Sequence, residues 1–313
     1  MTVLVLGSSG FIGPHVVAAL AARQVEVVGA NRSGAGPHGA RLDRRDALAV
    51  RALVRQRRVT SVIDLLAYTA ADSLPLFEAL DGEVDHWVMA SSCDVYANYD
   101  GLHRHPAPEP VATALAETSP LRTRLYPYRQ DPPRDPAAAD AWMDDYDKIP
   151  LEAALRARTA LKATLMRLPM VFGPGDRQRR FRWAISPMRR GAVQIEVDPG
   201  WLGFRATHGY VEDVADALAS AALHPAARGG TFNLGRDVPG DNRGWFDAFA
   251  AQAGWTGELR QAPAPDDSPL AALDLRYRLV VDTSAFRAAC SWTEPTPLAD
   301  AVARTLADEQ ARG

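Results

Sequence analysis

An α/β fold with a parallel sheet is what the sequence predicts, and three observations carry that prediction. The chain opens on an apolar run, Val3–Leu6, followed by glycines at 7, 10 and 13 and by an apolar helix beginning near Pro14. Apolar runs of strand length then alternate with helical patterns at a spacing of about 20–30 residues through residue 91, the signature of βαβ units. Finally, the 313 residues and 47% hydrophobic content suit one large α/β unit or two closely joined lobes with a real core. No solenoid-type repeat interrupts the pattern.

The first element joins a buried strand to a GxxGxxG turn and a helix carrying Val16, Val17, Ala18 and Leu20. Strand, glycine turn and helix together present backbone N–H groups and a helix N-terminus to a pyrophosphate. Gly7 permits the tight turn, Gly10 lets phosphate approach the backbone, and Gly13 lets helix pack on strand. Val25–Ala30 reads as the second strand and residues 34–40 as a Gly/Pro loop. Asp43 or Asp46 caps a helix over Ala47–Arg57. Thr60–Leu66 is the fourth strand, residues 72–80 are helical, and His86–Ser91 is the fifth strand. Residues 97–145, rich in Pro, Ala, Asp and Arg, break the rhythm. A structureless loop of that length is uncommon inside a domain. It reads either as a lid, closing Leu125–Arg129 over a ligand, or as a surface insertion remote from the chemistry. Regular structure resumes with a helix over Pro150–Ala157, a strand over Ala163–Leu168, a turn over Pro169–Pro174 and a short strand over Val193–Val197. An amphipathic helix over Tyr210–Ala222 and a strand over Thr231–Leu234 follow. Arg243–Ala253 and Leu298–Asp308 supply two last helices.

Composition narrows the function. A net charge of −3 argues against nucleic-acid binding as the main activity. Cys93 and Cys290 are too few for a disulfide framework. No apolar run reaches membrane-spanning length, so no membrane partner is expected. Met1 runs almost directly into the first strand, leaving no room for a signal peptide; a cytoplasmic enzyme is the expectation. No Cys/His/Asp/Glu spacing suggests a metal site. Lys148 and Lys162 are the only lysines.

The end of the second strand, Asn31-Arg32-Ser33, meets the adenosine ribose in a dinucleotide fold. A carboxylate there would bind the 2′-hydroxyl and repel a 2′-phosphate. Asn31 is neutral and Arg32 cationic, which favours NADP(H), with NAD open because Arg32 can also stack on adenine. Asp43 is placed to reach the adenine amine.

Six motifs, in order, resemble the extended short-chain dehydrogenase/reductase superfamily, the NAD(P)-dependent epimerase/dehydratase family. They are Gly7-x-x-Gly10-x-x-Gly13, Asp43-Arg44-Arg45-Asp46, Ser91-Ser92-x-x-Val95-Tyr96, Lys148-x-x-x-Glu152, Arg167-Leu168-Pro169-x-Val171-Phe172-Gly173-Pro174-Gly175-Asp176 and Tyr210-Val211-Glu212-Asp213-Val214-Ala215. The resemblance implies a doubly wound parallel Rossmann sheet of about seven strands. Residues 1–168 would form the nucleotide-binding core with its insertion at 97–145. Residues 169–313 would be mostly a smaller C-terminal substrate lobe, with 204–234 returning to the core. It also implies a Ser-Tyr-Lys group beside the nicotinamide, with Ser92 on the reacting oxygen and Lys148 on the ribose, and a homodimer through a helix pair. Candidate cofactor contacts are Gly7, Ser9, Gly10, Phe11, Ile12, Gly13, Asn31, Arg32, Ser33, Asp43, Arg44, Leu65, Leu66, Ala67, Lys148 and Pro169.

One position departs from the family. Its tyrosine stands four residues before the lysine, where this chain has Asp144; the nearest tyrosine is Tyr146, two before Lys148. On a continuous helix, residues two apart face opposite ways. Pro150 is suited to a first helical turn, so a helix starting there would leave Tyr146 and Lys148 in an irregular lead-in. Three readings stay open. Tyr146 is a displaced acid/base with its pKa lowered by Lys148, or Asp144 moves the proton, or hydride chemistry is lost.

Candidate substrate contacts are Asp94, Tyr96, Tyr128, Arg177, Arg182 and His208; the arginines suit a phosphate or carboxylate. Cys93 reads as a small buried thiol. The activity expected is hydride transfer at a hydroxyl or carbonyl carbon of a small molecule, either a nucleotide sugar or a secondary-metabolism intermediate. A redox-silent NADP(H)-sensing or macromolecule-binding Rossmann protein, and a non-redox lyase or cyclase, are the alternatives.

Overall fold

A computed structural model of the chain describes residues 1–36, 38–236 and 240–312, so residue 37 of the predicted 34–40 loop lies outside the described residues. In chain order the strands are β1 (Thr2–Leu6), β2 (Glu26–Asn31), β3 (Gly39–Arg41), β4 (Val59–Asp64), β5 (His86–Ser92), β6 (Lys162–Leu168), β7 (Met170–Phe172), β8 (Gln194–Val197), β9 (His208–Tyr210), β10 (Thr231–Asn233) and β11 (Glu258–Gln261). The helices are α1 (Gly13–Ala22), α2 (Ala47–Arg57), α3 (Ala70–Leu80), α4 (Ala97–Leu102), α5 (Lys148–Arg156), α6 (Arg182–Arg189), α7 (Pro199–Leu202), α8 (Val211–Leu223), α9 (Asn242–Ala253), α10 (Ser284–Cys290) and α11 (Leu298–Ala311).

Seven strands form one sheet in the order β10-β6-β5-β4-β1-β2-β3, all neighbours parallel. The order reverses at β1, which leaves a crevice beyond the carboxyl ends of β1 and β4. Side chains alternate across the sheet as the strand period requires. Val3 and Val5 face a core shared with α1 and α8, whereas Leu4 and Leu6 face one shared with α2, α3 and α5. β10 returns from the second half of the chain to the sheet edge. Two short parallel pairs, β7–β9 and β8–β11, and α6, α7, α9 and α11 build the smaller lobe.

Several boundaries differ from expectation. The 34–40 loop gives way at Gly39 to β3, and the Pro169–Pro174 turn contains β7. Both are short strands with too few residues to show a period. α5 begins at Lys148 rather than Pro150, because Asp147 caps it by accepting the Ile149 N–H; Pro150 sits within the first turn. The 97–145 segment is not structureless. It contains α4, a 3-10 turn over Ala141–Asp145 and bridges between Tyr96 and Leu121 and between Leu115 and Val281. Ion pairs fix it in place of apolar periodicity, among them Arg122–Asp147, Arg124–Asp100 and Arg134–Asp144. Among the described residues no helix is long and apolar enough to cross a membrane.

His86 makes the fold acid-sensitive. It is fully buried on β5, with Nε2 2.8 Å from the Thr164 hydroxyl and Nδ1 3.3 Å from the Ala222 carbonyl. Burial lowers its pKa from 6.5 to about 4, against the pull of that carbonyl. Between those values the unfolded chain takes up a proton that the folded chain refuses. Stability from this group is therefore intact above pH 6.5, falls as pH drops toward 4, and levels off below. The loss amounts to about 3 kcal/mol. Denaturant unfolding at pH 7 and pH 4.5 is expected to show a smaller difference for His86→Gln than for the native chain. Equal differences would exclude His86 as the source.

Candidate active site

The glycine turn sits at the carboxyl end of β1. Gly7 has φ +91°, a left-handed value that suits glycine, and a Cβ there would lie 2.9 Å from Leu66. A Cβ on Gly13 would lie 2.2 Å from the Gly7 carbonyl oxygen. Ile12 gives α1 no side-chain cap, and Ser9 and Gly10 are exposed. The first-turn N–H groups thus lack a side-chain acceptor beside a glycine cradle, which fits the diphosphate of a dinucleotide. Phe11 closes one side by packing against Gly175. Gly13→Ala is expected to cost about 1–3 kcal/mol by overpacking and to weaken dinucleotide binding. Thermal unfolding and nicotinamide fluorescence check this, and native values in both would refute it.

At the end of β2 the structure corrects one expectation. Asn31 does not offer its side chain to a ribose. It is buried, its amide donates to Ser8 Oγ (2.9 Å) and the Ala35 carbonyl (3.0 Å), and its Oδ1 accepts from the Ser33 N–H and hydroxyl. Asn31 therefore builds the turn that leaves Arg32 exposed. Arg44 is a second correction. It lies buried against Asp64, donating from Nε at 3.1 Å and Nη2 at 2.5 Å, and also bonds the Asp72 carbonyl and Ser73. A buried guanidinium with four acceptors is structural. Asp43 stays half-exposed, paired with Arg45, and Asp46 takes the cap of α2.

Beyond β4, Leu65 and Ala67 are buried and Leu66 borders Gly7. Pro169 lies between β6 and β7, against Gly209 and Gly235. Lys148, buried at the start of α5, donates to the Ala67 carbonyl (2.5 Å) and the Ala90 carbonyl (2.9 Å). Burial lowers its pKa to about 8, opposed by Asp64 and Asp94. The ammonium lies 4.8 Å from the centroid of the Tyr68 ring and 5.5 Å from that of Tyr146.

Tyr146 and Lys148 therefore meet across a spacing of two. Tyr146 and Asp147 are extended, and Tyr146 forms an antiparallel bridge with Thr69. Two extended residues span about 6.6 Å, close to the roughly 6 Å of four helical residues, and they share a face. The 3-10 turn holds Asp144 elsewhere. Its carboxylate accepts the Gln130 and Arg134 N–H groups and the Arg134 guanidinium. Although burial opposes it, these contacts keep Asp144 below the usual carboxylate range. The reading of Asp144 as proton carrier is thereby overturned: it anchors the insertion.

The Tyr146 hydroxyl donates to Asp94 Oδ2 at 3.0 Å, and the Tyr128 hydroxyl donates to the same oxygen at 3.0 Å. Ser92 lies at the end of β5 and caps the next turn by accepting the Asp94 N–H. Burial and the Asp94 charge push the Tyr146 phenol well above its usual pKa, while Ser92 pulls it down. This reverses the lowering expected from Lys148. Of the Leu125–Arg129 stretch, Tyr128 reaches the site; Arg129 stacks on Tyr126, 4.1 Å from its centroid, and pairs with Asp145. Tyr68 and Trp142 stack at 4.9 Å beside Tyr146.

Two proposed substrate contacts lie elsewhere. Tyr96 is fully buried, donates to Asn233 (2.6 Å) and accepts from Arg167 (3.0 Å), so it belongs to the interior. His208 is buried among Phe172, Phe181 and Trp245, and burial with nearby Arg180 lowers its pKa to about 3. Arg177 and Arg182 are exposed. Arg180 belongs to the cluster Arg177, Arg179, Arg180 and Arg182 that the sequence marks as a whole for a phosphate or carboxylate. It is half-buried, donates to the Val171 carbonyl and lies within the field of Tyr128 and Tyr99. Cys93 donates toward the Arg167 carbonyl, and burial pushes its thiol pKa up, which disfavours the nucleophilic thiolate. Among the described residues no cluster of three or more potential ligands is placed to hold a metal ion.

Residues 3–129 match the model of the NAD dependent epimerase/dehydratase family. The chain is 25% identical over 231 residues to a probable dTDP-4,6-dihydroxy-2-methyloxan-3-one 4-ketoreductase of Streptomyces antibioticus, covering 72% of this chain and 68% of that one. It is 28% identical over 255 residues to 2′-dehydrokanamycin reductase of Streptomyces kanamyceticus, covering 76% of this chain and 63% of the relative. The fold matches UDP-glucose 4-epimerase of Thermotoga maritima, solved with UDP-glucose, at a TM-score of 0.70 and 19% identity over 100% of this chain and 99% of that one. It likewise matches UDP-glucose 4-epimerase of Thermus thermophilus, solved with NAD, at 0.67 and 23% identity over 100% of both chains.

Proposed function

We propose that the chain, whose residues 3–129 match the NAD dependent epimerase/dehydratase family, is an NAD(P)-dependent enzyme that interconverts a ketone and a secondary alcohol on a sugar ring, with reduction as the main direction. The convergence of Tyr146, Ser92 and Lys148 beyond β4 and β5 carries this reading. Both curated relatives are named as reductases, one of a nucleotide-linked ketosugar and one of a dehydro-aminoglycoside. The nicotinamide cofactor, when bound, supplies or accepts the hydride. The chain's own residues do the rest. The glycine turn would hold the diphosphate, Lys148 would meet the ribose, Ser92 would orient the reacting oxygen and Tyr146 would move its proton. Tyr128, Arg180 and the Tyr68–Trp142 pair offer polar and apolar surface to the substrate.

Arg32 supports NADP(H) as the preferred cofactor, since its exposed guanidinium stands where a carboxylate would repel a 2′-phosphate. The test is to assay dTDP-linked ketosugars and a 2′-dehydro-aminoglycoside with NADPH and with NADH. Turnover of one class with NADPH is expected. Arg32→Ala is expected to weaken NADPH binding about tenfold, or ~1.4 kcal/mol, and leave NADH binding as it was. Binding of either cofactor without turnover of any ketosugar would count against the reaction; equal losses for both cofactors would count against Arg32.

A further inference from the structure

We propose that Asp94 is the proton store of this site: it accepts and returns, through the Tyr146 hydroxyl, the proton that the substrate oxygen loses or gains. The proposal rests on the alcohol–ketone reading above. It begins from an arrangement that reading leaves unexplained. Asp94 is a carboxylate with 7% exposure. Both the Tyr146 and Tyr128 hydroxyls donate to its Oδ2, each at 3.0 Å. Its Oδ1 is buried and has no hydrogen-bond partner among the described residues.

A phenol that donates to a carboxylate does not ionise readily. Losing its proton would put a second negative charge about 3 Å from the first, in a site with little water. A resting phenolate is therefore not the base in this site. The carboxylate can take the proton instead. In oxidation the substrate O–H bond breaks and its proton joins Tyr146 Oη. The Tyr146 O–H bond breaks as its proton joins Asp94 Oδ2, and the hydride is taken by an oxidised nicotinamide dinucleotide. In reduction both transfers reverse. Asp94 thus acts through Tyr146, and its unpartnered Oδ1 leaves the carboxyl free to reorganise as it gains a proton.

The surrounding groups are compatible with one shared proton. Facing Asp94 are Tyr128, Tyr146, Tyr99, Lys148, the Cys93 thiol and Arg122, whose Nε donates to the Asp94 carbonyl at 2.6 Å. Arg122 is itself neutralised by Asp147. Tyr146 faces Asp94, Ser92, Tyr68, Tyr128, Trp142 and Lys148. Burial raises the Asp94 pKa, while Arg122, the two phenols and Lys148 restrain the rise. That places the carboxyl nearer to neutrality than an exposed aspartate, as a proton store requires.

The test uses the ligand-free full-length protein, so it does not depend on the sugar reading. The tyrosinate absorbance of Tyr146 is obtained as the native titration minus that of Tyr146→Phe. It is expected to lie above the ordinary phenol range, and in Asp94→Asn to move down by at least one pH unit. By reciprocity, Tyr146→Phe must shift the Asp94 carboxyl titration followed by carbon NMR. That second measurement serves if Asp94→Asn does not fold. An unmoved tyrosinate curve in a folded Asp94→Asn, or an Asp94 titration indifferent to Tyr146→Phe, overturns the proposal. With a turned-over ketosugar, the kcat–pH profile is expected to lose its carboxyl limb in Asp94→Asn. A persisting limb would overturn the relay while leaving the ketone–alcohol reading intact.

Discussion

Tyr146→Phe is expected to lower kcat by about 10²–10⁴, with nicotinamide affinity changed little. That range is the usual contribution of a positioned general acid or base. The substitution removes one oxygen and keeps the ring that packs against Tyr68, Tyr128 and Trp142. Tyr128→Phe provides the contrast. Its hydroxyl donates to the same Asp94 oxygen, yet its residue comes from the insertion rather than from the lead-in to α5. A smaller loss, expressed mainly in KM, is expected there. Steady-state kinetics on the first ketosugar that turns over, with far-UV circular dichroism as a folding control, decides the matter. Comparable kcat for the native chain and Tyr146→Phe would remove Tyr146 from the chemistry.

Glu152→Ala is expected to destabilise the fold by about 3–5 kcal/mol, the usual cost of leaving a buried charge without its partner. Glu152 and Arg167 are each 2% exposed. Glu152 accepts Arg167 Nε at 3.0 Å and Nη2 at 2.7 Å, and the Ser91 hydroxyl at 2.6 Å. Arg167 also reaches the Tyr96 hydroxyl and the Glu117 carbonyl. The network ties α5 to β5 and β6 directly beneath Ser92, so its loss is felt in the site as well. Replacing both partners, Glu152→Leu with Arg167→Met, is expected to cost much less than the sum of the single changes. Urea unfolding of the native chain, Glu152→Leu, Arg167→Met and the double variant measures the coupling, and additive losses would show that the pair does not act as a unit.

The sequence announces the sheet and the glycine turn because both depend on local pattern. Val3–Leu6 are apolar without interruption, and the conformational demands at Gly7 and Gly13 admit few other residues. Lys148 and Ser92 are legible through the family motifs, and Pro150 hints that Tyr146 lies outside the helix. The cap that starts α5 is Asp147, however, and only its hydrogen bond to Ile149 reveals the true boundary. The insertion conceals its order because polar contacts distant in sequence create it, such as Arg122 with Asp147 and Tyr128 with Asp94. Asn31, Arg44, Tyr96 and His208 mislead for a related reason. Each is a polar residue at a position that commonly meets ligand, and each here satisfies a buried neighbour. Asp94 is legible as a pocket residue, yet its two phenol donors come from the insertion (Tyr128) and from the lead-in to α5 (Tyr146), whose paths no periodicity describes.

The Arg122–Asp147 pair bears on how this enzyme changes over generations. Both side chains are fully buried, and Asp147 also accepts the Tyr126 N–H while capping the helix that carries Lys148. The insertion that carries Tyr128 is therefore bolted to the residue between Tyr146 and Lys148. In many enzymes a cover loop can be remodelled for a new substrate while the reacting groups stay put. Here the two are not separate modules. Selection for altered substrate range within residues 120–147 will repeatedly select against itself through turnover, and variants that broaden range at no loss of rate should concentrate in the smaller lobe instead.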